Sequence, residues 1–97
     1  MNNYLNTKNS IVFTEKQGQY LAFIYAYTCI NQRAPAESDM QRYFSVTPPT
    51  VHQMIVTLEK ASLITRQPGV PRSIQLIVDP ARLPTLAPPA RKGSKSL

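Results

Sequence analysis

An α+β fold, three helices followed by a small two-stranded antiparallel sheet, is what these 97 residues predict, on three observations. Apolar side chains recur at helical spacing in three stretches between Phe13 and Lys60. Only about three residues, Ser45-Val46-Thr47, separate the second stretch from the third. After Ala61-Ser62 the apolar period drops to two, on both sides of a Pro68-Gly69 turn signal. The length suits one domain with a single modest core.

The first helix opens at Phe13-Thr14-Glu15-Lys16-Gln17. Thr14 with Gln17 three residues on is a capping box, and Glu15 suits the positive end of the helix. Tyr20, Leu21, Ile24, Tyr27 and Thr28 share one face, widened by Phe23 and Ile30. Gly18, Ala22 and Ala26 follow at four-residue intervals on the back, with Cys29 close by. Small residues so spaced suit a close helix approach, such as a second subunit, or are simply exposed positions.

Asn31 to Pro35 ends that helix and starts an extended link. Glu37–Phe44 is predicted as a short helix with acids in its first turn and Met40 and Phe44 pointing inward. The third helix is the one the chain is organised around. Thr47 can cap it, Pro48 suits its first position, and Val51, Ile55 and Leu58 form an apolar stripe with Met54 at its edge. Its outer arc carries Thr50, Gln53 and Thr57, flanked by Pro49 and His52, and no charge. Exposed helix faces normally carry Lys and Glu. A short, uncharged, hydrogen-bonding face suits base edges in a DNA major groove, where Gln pairs with adenine and Thr meets a thymine methyl. The alternative is an ordinary surface helix.

Ile64–Gln67 and Ser73–Val78 alternate as strands, with Ile74, Leu76 and Val78 on one face. A hairpin with Arg66 on one arm and Arg72 near the tip completes a winged helix-turn-helix. The predicted organisation is an N-terminal arm over 1–11, the winged domain over 12–78, and a flexible basic Pro-rich tail over 79–97. For the tail, plain solvation, non-specific phosphate binding and self-association all remain open.

The formal net charge of +6 favours an acidic partner, nucleic acid before membrane. From Pro80 onward Arg82, Arg91, Lys92 and Lys95 stand with no acid, so much of that charge belongs to the tail. No acid falls between Asp39 and Glu59, which leaves the proposed DNA face free of repulsion in sequence. One cysteine, Cys29, excludes an intramolecular disulfide and a cysteine zinc site, and the lone His52 builds no ligand cluster. No apolar run is long enough to span a bilayer, and the cytoplasm is the expected location. No carboxylate pair or nucleophile–base set supports an enzyme, and no cofactor, metal or small-molecule substrate is expected.

From Phe13 to Leu76 the chain resembles the DNA-binding domain of the LexA repressor family. The resemblance rests on FTEKQ at 13–17, the Phe23-Ile24 pair, Ala34-Pro35, LEKASLI at 58–64 and RSIQL at 72–76. It implies a winged helix that represses promoters from a two-fold symmetric operator. The family's base-reading positions fall on Thr47, Pro49, Thr50, His52 and Gln53, and its wing arginine on Arg72. Three departures stand out. Ala36 replaces a usual helix cap, and Ser45 and Ser62 replace glycines, at a modest strain if those sites are left-handed. The family's self-cleaving peptidase half has no counterpart in these residues. Ser94-Lys95 is a sequence neighbour pair in the tail, which is no buried dyad.

The sequence therefore points to a transcriptional regulator that binds double-stranded DNA. Thr50, His52 and Gln53 are expected to touch base edges and Arg72, Arg66 and Lys60 to neutralise phosphates, with Thr47, Pro49 and Thr57 completing the DNA-binding set. Tight binding should need a homodimer on a symmetric site. The rival from another class is a winged-helix protein-interaction module that docks through its basic Pro-rich tail.

Overall fold

The computed structural model describes residues 12–89. The predicted arm over 1–11 and the last residues of the tail, 90–97, lie outside the described residues. In chain order the elements are α1 (Glu15–Asn31), α2 (Glu37–Phe44), α3 (Pro48–Lys60), β1 (Ile64–Thr65), β2 (Gln75–Leu76) and a 3-10 turn (Pro80–Arg82). This is the α+β winged helix-turn-helix that the spacing predicts.

Local chemistry sets the helix starts. The Thr14 hydroxyl accepts the Gln17 N–H at 3.0 Å and the Gln17 side chain accepts the Thr14 N–H at 2.9 Å, so the capping box of α1 closes both ways. Ala36 offers α2 no side-chain cap, but Asp39 accepts the Ala36 N–H at 2.8 Å and so completes the other half of a box. Helix ends are less ordinary. Each of the three helices is followed by a left-handed residue, Gln32 (φ 61°), Ser45 (φ 54°) and Ser62 (φ 63°), where glycine is the usual choice. At the end of α3 the Ser62 N–H donates to the Glu59 carbonyl and the Leu63 N–H to that of Leu58. Leu63 is thereby turned into the core, where it is 1 % exposed.

The core gathers Tyr20, Leu21, Phe23 and Ile24 of α1, Met40 of α2, Val51, Ile55 and Leu58 of α3, and Leu63, Ile64, Ile74 and Val78 of the hairpin. Tyr20 stacks on Phe44 with ring centroids 4.1 Å apart, and Phe23 meets Tyr43 at 4.7 Å, which locks α1 against α2. Ile30, placed on this face by spacing, is instead 77 % exposed, because the last turns of α1 run past the core. The small-residue ridge departs in the opposite sense. Gly18 and Ala22 are buried inside their own chain, and a Cβ at Gly18 would stand 3.0 Å from the Phe13 ring and 3.1 Å from Pro84. Gly18 and Ala22 are therefore closed to a second subunit, and only Ala26 of that ridge is partly exposed.

The paired strands are shorter than the alternation suggests: Ile64 faces Leu76 and Thr65 faces Gln75, antiparallel. The Ile77 N–H donates to the Leu63 carbonyl at 2.9 Å and extends the ladder by one bond. Beyond it Ser73 takes over. Its hydroxyl accepts the Gln67 N–H and donates toward the Gln67 and Val70 carbonyls, closing the loop that Gly69 (φ 76°) turns.

The boundary at residue 78 and the flexible tail beyond it need correction. Asp79 caps the 3-10 turn by accepting the Ala81 N–H, and Leu83 and Leu86 pack against the core. The Gln19 side chain donates to the Thr85 carbonyl at 3.0 Å and accepts the Ala87 N–H at 2.8 Å. The Tyr43 hydroxyl donates to the Ala87 carbonyl. Residues 79–89 form a strap bound to α1 and α2. Prolines and the absence of periodicity give it the look of a linker, but backbone bonds to side chains far away in sequence hold it in place.

Candidate nucleic-acid interface

The outward arc of α3 is built from its first two turns. Thr47 sits in extended geometry, and its hydroxyl accepts the Thr50 N–H and lies 2.9 Å from the Thr50 hydroxyl. Pro48 and Pro49 supply no N–H, so this helix start has few spare donors for a phosphate. Its value lies in side chains. Thr47, Pro49, Thr50, His52 and Gln53 are all exposed, while Val51, Ile55 and Leu58 beneath them are 0 % exposed and fix the helix on the core.

The structure brings Pro49, Thr50, Gln53 and Thr57 to one shallow cleft, whose other wall is Thr14, Lys16 and Gln17 of the α1 start. Gln53 presents its amide there with no hydrogen bond among the described residues. Thr57 is less available, since its hydroxyl donates back to the Gln53 carbonyl at 2.9 Å and leaves its methyl group outward. Lys16 was not singled out by sequence. No local pattern could have marked it, because its place beside α3 comes only from the packing of α1.

His52 occupies the other flank. Its Nδ1 is 3.3 Å from a Glu37 carboxylate oxygen, so α2 brings an acid to a face that has none in sequence. That corrects the expectation of a face free of repulsion.

The basic residues divide. Lys60 is exposed at the end of α3. The Arg66 Nε donates to Glu59 at 3.0 Å, which leaves that guanidinium half-buried and partly neutralised. Arg72 departs furthest from expectation. It adopts a left-handed backbone (φ 57°) and its Nη1 donates to the Tyr27 hydroxyl at 3.1 Å, the Ala34 carbonyl at 3.1 Å and Asp39 at 3.2 Å. The guanidinium also stands 5.9 Å from the centre of the Tyr27 ring. Rather than reaching out from the wing tip, Arg72 ties the wing to α1, the link and α2.

Asp39 is the acid of this cluster, 10 % exposed. Burial by itself would raise its pKa, but the Ala36 N–H, the charges of Arg72 and Arg42, and the Tyr27 hydroxyl together hold it below the ordinary carboxylate value. Among the described residues no group of three or more His, Cys, Asp or Glu is placed to hold a metal ion, and no helix is long and apolar enough to cross a membrane.

A three-helix body, a turn of three residues before an exposed uncharged helix, and a hairpin beside it define a winged helix-turn-helix domain, the architecture of DNA-binding transcriptional regulators. The sequence model of the MarR family matches residues 13–70, and the chain belongs to that family. It is also similar to the LexA repressor of Thermosipho melanesiensis, 41 % identical over 64 residues that make up 66 % of this chain and 32 % of the relative. The LexA repressor of Thermosipho africanus is 37 % identical over 67 residues, 69 % of this chain and 34 % of the relative. The chain thus spans about a third of the length of the curated relatives it matches.

Proposed function

We propose that this protein is a transcriptional repressor that reads double-stranded DNA with the first two turns of α3. The single observation that carries the reading is the arc of Pro49, Thr50 and Gln53: exposed, uncharged, and carried on a helix whose opposite stripe, Val51, Ile55 and Leu58, is fully buried. Gln53 donates and accepts toward one base edge, Thr50 offers a hydroxyl and a methyl, and His52 reads the flank nearer α2. Lys16 and Lys60 stand at the two ends of this surface and neutralise phosphates, which position the domain without selecting sequence. The similarity to two LexA repressors supports repression as the outcome.

A module of this size has limited contact area, so tight binding takes two copies on a two-fold symmetric site. No catalytic step is assigned. A protein-docking role for the Pro-rich segment has less support, because residues 83–87 of that segment are already bound to Gln19, Tyr43 and the core.

Selection of bound sequences from a random duplex pool tests the proposal. A recovered two-fold symmetric sequence is the expected result. Recovery of no preferred sequence, with equal binding to every duplex, would refute specific reading by α3.

A further inference from the structure

The chain has one histidine, and α3 exposes it on the flank nearest α2. Glu37, the first residue of α2, brings a carboxylate oxygen to 3.3 Å from the His52 Nδ1. The backbone around Glu37 is pinned on both sides. Pro35, two residues before it, is fully buried, and the Asp39 side chain accepts the Ala36 N–H at 2.8 Å. Arg66 and Arg72 line one cleft with Glu37, but they pair with Glu59 and Asp39, so this carboxylate is left to His52.

That contact decides where the imidazole proton sits. An ionised carboxylate only accepts, so the hydrogen bond requires a proton on Nδ1. A neutral ring carries one proton, and Nε2 is then a bare acceptor. An imidazole free in water favours the opposite arrangement, with the proton on Nε2. The His52 side chain is 57 % exposed, and its Nε2 has no hydrogen-bond partner among the described residues. A pair this exposed adds little to stability. Its consequence is polarity: the ring offers an acceptor where the commoner tautomer would offer a donor.

In the major groove an acceptor matches an amino group, N4 of cytosine or N6 of adenine. Adenine sets its N7 lone pair beside that amino group, and guanine shows two acceptors, O6 and N7. A bare Nε2 with a carboxylate behind it is repelled by those lone pairs, so cytosine fits best. Resting on the DNA-binding reading of α3, we propose that Glu37 determines specificity from outside the recognition helix: it holds His52 in the Nδ1-protonated form, and the bare Nε2 accepts from a cytosine amino group at the flank of each half-site. Glu37 is a positioning residue and touches no base itself.

Two measurements on the full chain test this. Because His52 is the one histidine, the nitrogen NMR signals of an imidazole belong to it alone. At about pH 8, where an imidazole is ordinarily neutral, they show which nitrogen is bare. The wild-type chain should show a bare Nε2. Glu37→Ala should move the proton to Nε2, and Glu37→Gln, whose amide oxygen still accepts, should keep the wild-type form. The second measurement is competition among duplexes that differ at the base pair whose preference His52→Ala flattens. The wild-type chain should favour cytosine there by about three- to tenfold, the worth of one hydrogen bond. Glu37→Ala should abolish that preference or turn it toward guanine, Glu37→Gln should retain it, and both should leave the base pair read by Gln53 unchanged. A protonated Nε2 in the wild-type chain would overturn the proposal. So would a wild-type preference in Glu37→Ala, or a His52→Ala chain that selects the wild-type sequence, and in each case recognition by Gln53 would stand. A wild-type chain that shows the expected imidazole signals but selects no sequence would overturn the reading of α3 itself, and the base assignment with it.

Discussion

Removing the Arg72 guanidinium should cost folding stability and leave DNA contacts largely as they were. Arg72→Ala keeps the Cβ and the same left-handed backbone, so the change isolates the charged group. Three acceptors lose their donor: the Tyr27 hydroxyl oxygen, the Ala34 carbonyl and Asp39. Tyr27 retains access to solvent. Ala34 is 8 % exposed, and an unsatisfied buried carbonyl costs about 1–3 kcal/mol. Asp39, 10 % exposed, keeps the Ala36 N–H and Arg42, so the loss there is smaller than for a stranded buried charge. The Arg72 side chain is itself 31 % exposed, which trims the ion-pair contribution. Together these give about 2–3 kcal/mol. For a domain of this size that lowers the thermal midpoint by roughly 10–20 °C. Urea unfolding of Arg72→Ala, Asp39→Ala and the double variant measures it, and the cycle should return a coupling of about 1 kcal/mol or more. A variant with the wild-type midpoint but a DNA salt slope reduced by about one unit would refute this reasoning, and Arg72 would then be a phosphate ligand.

Gln53→Ala should flatten the preference at one base pair per half-site, about 1–3 kcal/mol of discrimination, with an unchanged salt slope; competition between selected and scrambled duplexes reports it. Ser62→Gly relieves a left-handed serine at the end of α3 and should raise stability by about 0.5–1 kcal/mol, the strain removed exceeding the added entropy of the unfolded chain. No gain in denaturant midpoint would mean that the turn is unstrained. Asp39, whose folded pKa is depressed, contributes stability that is present above its unfolded value near 4 and lost as pH falls through the lower folded value. An acid titration of unfolding should therefore be flatter below about pH 4 in Asp39→Asn, and an identical acid limb in both proteins would contradict the assignment.

Much of the architecture was legible because its causes are local. The stripe of Val51, Ile55 and Leu58, the cap at Thr47 and the Thr14–Gln17 box depend on residues within about a turn of one another, so spacing alone places them. The same holds for the uncharged arc of α3, since a helix that buries one side must present the other. Side-chain destinations across the fold are a different matter. A long arginine near a hairpin tip can point outward or inward, and the left-handed backbone at Arg72 with a buried acid at Asp39 turned it inward. Glu37 reached His52 only because α2 crosses beside α3. Residues 79–89 have no period to reveal them, yet one amide on α1 and one hydroxyl on α2 hold their backbone. The sequence by itself determined the three helices, the wing and the uncharged outer face of α3. Only the tertiary structure decided that Arg72 turns inward to tie the wing to the body, because its partners Tyr27 and Asp39 lie more than thirty residues away.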